Sequence, residues 1–198
     1  MRVGFDFDNT LINYYGVFYE IALSKGLIPP SISKDKNSVK EYLKKNNKED
    51  AFTEIQGLVY GREIYKSKPT KHLLTGLSEL LKFAKNEDLF IVSHKTKYPY
   101  IGERINLREA AEKWIEEFLK INKRKIFPKN NIFFEATIEE KIARINSLKC
   151  DYYFDDLPLI IEKLPSRIKG ILYDPFNKYE NYNLDKISNW TYIYDCFK

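Results

Sequence analysis

Cysteine is scarce in this chain of 198 residues, with only Cys150 and Cys196, so no disulfide framework can staple it. There are only two histidines, and no Cys/His cluster has zinc-finger spacing. No apolar run approaches a membrane span, and Asp6 and Asp8 interrupt the first apolar stretch, which excludes a signal-peptide core there. Glycine and proline number eight each, too few for a collagenous or low-complexity chain. Charge of one sign is also lacking. The 33 basic and 28 acidic residues leave a net +5, short of the footprint of a dedicated nucleic-acid binder. These absences leave a soluble globular protein of a reducing, cytoplasmic compartment, with no nucleic-acid or membrane partner expected. Its 43% apolar residues suffice for a core.

Short apolar runs alternate with helical patterns, which predicts an α/β fold with a parallel sheet flanked by helices. The predicted strands are 2–6, 89–93, 131–134, 152–155 and 170–173. They show no polar alternation and read as buried on both faces. Helical stripes fall on Leu77, Leu80, Leu81 and Ala84; on Leu107, Ala111, Trp114 and Phe118; and on Ile138, Ile142 and Ile145. The tail 190–196 is read as an extra edge strand.

The stretch between the first two strands is too long. A crossover needs about a dozen to thirty residues, and residues 74–86 already supply its helix. Residues 14–72 are surplus. They carry three further helical stripes, one on Val17, Phe18 and Ile21, one on Val39 and Leu43, and one on Phe52, Ile55 and Val59. The reading is a core of 1–13 plus 73–198, with 14–72 as a small helical subdomain inserted after the first strand. Ligands of open parallel sheets bind beyond the strands' carboxyl ends, so such an insertion is placed to act as a lid.

The strongest chemical signal is Val3-Gly4-Phe5-Asp6-Phe7-Asp8-Asn9-Thr10, a strand running into two aspartates. Alone, this pair also reads as an Asx-rich turn capping a helix, since Asn9 and Thr10 suit turns and caps. Two more strands end in polar groups, Ser93 and the pair Asp155-Asp156, and Lys141 lies on the helix before the latter. In a parallel sheet these ends share one rim. Crowded carboxylates oppose one another's ionisation unless a cation relieves them, and an all-oxygen donor set suits magnesium.

In this order the motifs resemble those of the haloacid dehalogenase (HAD) superfamily of aspartate-nucleophile phosphohydrolases, over residues 1–175. The resemblance implies a Rossmann-like parallel sheet with an inserted C1-type helical cap. It implies Asp6 as nucleophile, Asp8 as general acid and base, and Ser93 and Lys141 as contacts for the transferring phosphoryl group. It also implies Mg2+ held by Asp6, the Asp8 main-chain carbonyl and the Asp155-Asp156 pair, with Asp156 favoured for direct contact. Family dehalogenases lack the second aspartate, so its presence points to phosphate esters. Thr10, His94 and Lys95 are added as candidate substrate contacts. The substrate expected is a small phosphorylated metabolite. A phosphomutase or phosphotransferase using the same intermediate, and an idle binding protein on the same fold, remain open. The loop 94–106 and the residues Tyr60, Arg62 and Lys66 are candidate rims.

Overall fold

The computed structural model describes residues 1–198. The first half runs β1 (Val3–Phe5), β2 (Ile12–Asn13), α1 (Val17–Ser24), α2 (Lys36–Lys45), α3 (Glu49–Tyr60), β3 (Lys68–Pro69) and α4 (Leu73–Leu80). It continues through β4 (Leu89–His94), α5 (Leu107–Phe118), β5 (Lys120–Ile121), β6 (Arg124–Lys125), β7 (Ile132–Glu135) and α6 (Ile138–Ser147). The chain ends with β8 (Tyr152–Asp155), α7 (Pro158–Glu162), β9 (Lys169–Tyr173) and β10 (Lys186–Ile187). No helix is long and apolar enough to cross a membrane.

Six strands form one parallel sheet in the order β10-β9-β8-β1-β4-β7. This is the α/β Rossmann-like architecture read from the sequence. Both faces are covered, which explains the missing polar alternation. On one face Phe90, Val92, Tyr153 and Ile145 pack with Ile160 and Ile168. On the other, Phe5 stacks on Phe154 at 5.2 Å, and Trp190 sits 5.6 Å from Phe154 and 4.8 Å from Tyr173.

Gly4 is required in the central strand. A Cβ there would lie 2.7 Å from the Tyr153 ring of the neighbouring strand. The bare glycine lets Tyr153 lie across β1 and donate its hydroxyl to the Val92 carbonyl on β4, at 2.5 Å. Tyr153 thus straps β8 to β4 over β1, just behind the strand ends that carry Asp155, Ser93 and Asp6.

The chain divides into two compact units. One comprises Met1–Ile12, Pro69–Lys95 and Glu116–Lys198; the other comprises Asn13–Lys68 and Thr96–Ile115. The second unit therefore includes 96–115, a stretch the sequence reading left with the core. Within it Pro99 packs against Gly57 of α3, the Leu107 N–H donates to the Lys97 carbonyl, and the Trp114 indole donates to the Ser67 carbonyl. Its interior is aromatic and aliphatic: Phe18 stacks on Phe52 at 5.7 Å, and Val39, Leu43, Ile55 and Val59 are fully buried.

The tail is corrected. Residues Trp190–Phe197 form a 3-10 helix, not a strand. The edge beside β9 is already taken by β10. Trp190 is instead buried, and its indole N–H donates to Thr70 Oγ1 at 2.8 Å. The hairpin β5–β6 was not read from the sequence. Its two central residues, Asn122 and Lys123, both adopt positive φ, as a tight two-residue hairpin turn demands.

Candidate active site

Strand register assembles the site. Phe5 lies beside Ile91 on one side and Phe154 on the other. Asp6 and Asp155 come next on their strands and Ser93 lies two residues beyond Ile91, so all three stand at the same carboxyl edge, and the Asp6 N–H is tied to the Phe154 carbonyl at 2.8 Å. Asn9 adopts φ 59, a left-handed conformation that asparagine tolerates, and the turn closes when Leu11 N–H bonds the Phe7 carbonyl. The turn expected of Asn9 is present, but it leads into β2 and caps no helix. Lys141 is delivered by α6, whose start is set by a capping box between Thr137 and Glu140.

One oxygen of Asp6, Oδ1, accepts from Ser93 Oγ at 2.9 Å and from Lys141 Nζ at 2.6 Å. Lys141 also donates to Asp155 Oδ2 at 2.7 Å, while Asp155 Oδ1 accepts the Leu157 N–H at 3.0 Å. Asp6, Ser93, Lys141 and Asp155 are all buried. Carboxylate oxygens of Asp6, Asp155 and Asp156 lie within 4.8 Å of one another. Lys141 bridges the first two of these acids, not Asp156.

Burial and crowding shape the charges. The Asp6 carboxyl is pushed up to about 7, first by burial; the Lys141 charge opposes this, and Asp155 and Asp8 reinforce it. Burial likewise raises Asp155, against the pull of Lys141. Asp156 lies well above the usual carboxylate range through burial and then the charges of Asp155 and Asp6. Burial also opposes the charge on Lys141, but Asp6 and Asp155 more than offset it and hold the ammonium protonated. One buried cation thus faces three acids. That excess of negative charge and the all-oxygen donor set fit a hard divalent cation such as Mg2+.

The remaining candidates divide. Lys95 is buried and donates to both oxygens of Asp8, at 3.1 and 2.9 Å, so its ammonium serves the second aspartate of the motif. The His94 ring instead lies 2.9 Å from the Ala136 carbonyl, and the residue is exposed. Thr10 is fully buried and its Oγ1 has no hydrogen-bond partner, while its carbonyl accepts from Thr70 Oγ1 at 2.9 Å. Tyr60 accepts from Lys36 Nζ at 2.8 Å, and Arg62 and Lys66 pair with Glu63 within the second unit. The sequence reading missed Tyr153, which has no motif of its own; only the register that sets it beside Gly4 betrays it.

The fold is shared with solved hydrolases of the HAD superfamily. A HAD-superfamily hydrolase from Ehrlichia chaffeensis superposes over 100% of this chain and 97% of its own, with TM-score 0.54 and 15% identity. A haloacid dehalogenase-like family hydrolase from Xanthomonas campestris superposes over 100% of this chain and 90% of its own, with TM-score 0.58 and 9% identity. In sequence, a Bacillus cereus protein provisionally named a nucleotidase is 29% identical over 92 residues. That match covers 46% of this chain and 45% of the Bacillus protein. No protein-family model matches the chain.

Proposed function

We propose that this protein is a Mg2+-dependent phosphatase that hydrolyses a small soluble phosphomonoester through an aspartyl-phosphate on Asp6. One observation carries the reading: both Ser93 and Lys141 bond the same oxygen of Asp6. Those two bonds fix the carboxylate and leave Oδ2 as the oxygen for attack on phosphorus. Lys141 Nζ and Ser93 Oγ stand beside it, where the charge of a transferring phosphoryl group is best met.

Asp6, Asp156 and the main-chain carbonyl of Asp8 are the groups to hold Mg2+. Bound there, the ion would neutralise the crowded carboxylates and polarise the phosphoryl oxygens. In the first step Asp6 attacks phosphorus and the P–O ester bond breaks, with Asp8 protonating the leaving oxygen. In the second, Asp8 takes a proton from the attacking water. Phosphate leaves, and the Asp6 carboxylate is regenerated. Asp155 holds Lys141 in place from behind.

The large insertion that follows β1 supports a small ester over a polymeric substrate, and the name of the Bacillus relative makes nucleoside monophosphates the first class to test. The decisive experiment is phosphate release from a panel of nucleotides, sugar phosphates and other phosphorylated metabolites with Mg2+, repeated after chelation. Release that persists without metal would refute the metal assignment. Label passing from the substrate to a second sugar, not to water, would make the enzyme a phosphotransferase. No release from any ester with the wild type leaves the fold a binding protein.

A further inference from the structure

Lys95 is an unusual residue to find buried: it is 3% exposed, yet it carries an ammonium on a strand-end position. It is anchored at both ends. Its main-chain N–H donates to the Glu135 carbonyl at 2.9 Å, extending the β4–β7 pairing by one bond. Its ammonium contacts both oxygens of Asp8 and lies 5.5 Å from the centre of the Phe7 ring. A buried ammonium parted from its carboxylate is costly, so Lys95 does not leave Asp8 to meet a substrate phosphate. We propose that Lys95 is the positioning residue for the proton transfers of Asp8, and not a substrate contact. This rests on the phosphatase reading.

The bidentate contact fixes the direction of the second aspartate. When Asp8 is ionised, both oxygens accept from Lys95. When one oxygen carries the proton, the other still accepts, so the O–H is held in one direction. That proton passes to the leaving oxygen as the P–O bond breaks, giving the free alcohol and an Asp8 carboxylate. The carboxylate then takes a proton from the water that attacks the aspartyl-phosphate. Phosphate and the free Asp6 carboxylate result, and Asp8 is restored.

The test uses leaving groups that differ in their need for a proton. In Lys95→Met, turnover of an alkyl phosphate falls about 10²–10³-fold, the usual worth of a positioned acid. Turnover of nitrophenyl phosphate, whose leaving group departs without protonation, falls less than about tenfold, and KM for both esters stays within about threefold. Inhibition by orthophosphate is unchanged within about threefold, since Lys95 does not touch phosphate. Lys95→Arg recovers part of the alkyl phosphate rate. Because Lys95→Met leaves Asp8 without its buried counter-ion, Asp8→Asn and Asp8→Asn/Lys95→Met are measured beside it. The Lys95 change then costs nothing further, because the partner it positions is already gone.

Equal losses on both esters together with a raised KM and weaker orthophosphate inhibition would make Lys95 a phosphate ligand and overturn the inference while leaving the phosphatase reading intact. Unchanged rates on both esters would reduce the pair to a structural ion pair and overturn it likewise. Failure of the wild type to cleave either ester would overturn both readings.

Discussion

Two regions of this molecule are lined by ion pairs, and they differ in everything that matters for chemistry. At the carboxyl edge of the sheet, Lys141, Asp6 and Asp155 have side chains 3%, 7% and 0% exposed. In the second unit, a cleft of about 210 Å3 is bordered by Lys25–Glu54, with side chains 40% and 44% exposed, and by Arg62–Glu103, at 61% and 59%. Water screens the charges of the cleft, and its pairs are worth little. The edge is cramped, and its charges cannot relax into solvent. There the same residue types hold one another in fixed positions and at altered proton affinities. Buried charge in excess, more than cavity size, marks the edge as the candidate site.

Substitutions on the two sides should separate them widely. Asp6→Asn at the edge is expected to lower aryl phosphate hydrolysis about 10⁴-fold or more, as loss of a nucleophile does, while Glu54→Gln in the cleft leaves the rate within about twofold. Steady-state kinetics decides this, and comparable losses would erase the distinction between the regions.

Lys141→Met comes next. It removes the cation shared by Asp6 and Asp155 and should destabilise the metal-free protein by about 3–5 kcal/mol at pH 8. At pH 5.5 the cost shrinks, because Asp6, pushed up to about 7, then holds a proton. Denaturant titration at the two pH values measures it; equal costs at both would contradict the coupled edge described here.

The pH dependence of the wild type sharpens the contrast. The folded Asp6 titrates at about 7 and the unfolded one near 3.8, so between those values the folded state binds more protons. Metal-free stability therefore falls as pH rises from about 4 through 7, the reverse of a carboxylate with a depressed pKa. Mg2+ should restore it, with a larger gain in Tm at pH 8 than at pH 5.5, where protons compete for the same oxygens. Thermal melts with and without Mg2+ test both signs.

Gly4→Ala probes the strap behind the edge, because a methyl group there collides with Tyr153. A loss of about 1–3 kcal/mol is expected. Tyr153→Phe, which removes the hydroxyl's bonds to the Val92 carbonyl and to Asp155, should cost about 1–2 kcal/mol. The smallest effect belongs to Lys25→Gln in the cleft, at no more than about 0.5 kcal/mol.

How much of this was legible beforehand follows from what patterns record. The buried runs around Phe5, Phe90 and Phe154 announced a sheet covered on both faces. Their acidic or hydroxylic ends announced a rim, because in a parallel sheet all carboxyl ends point one way. The capping box was written in Thr137 and Glu140, so the helix start just ahead of Lys141 could be read locally. Loop 96–115 was assigned to the core because it follows β4 in the chain; its contacts with α3, such as Pro99 against Gly57, are long-range and leave no periodicity. The tail was misread for a similar reason: a short, largely apolar run such as 190–196 fits a strand or a short helix equally well, and the edge beside β9 is already occupied by β10.

The amino-acid order alone determined the α/β alternation and the residue types at the strand ends, because burial periodicity and strand direction are properties of short segments. The tertiary structure alone decided that Lys95 pairs with Asp8, that Lys141 bridges Asp6 and Asp155 but not Asp156, that His94 turns to the Ala136 carbonyl, and that Tyr153 crosses Gly4. Those choices depend on register and side-chain direction between residues far apart in the chain, 135 positions for Asp6 and Lys141, for which no local pattern exists.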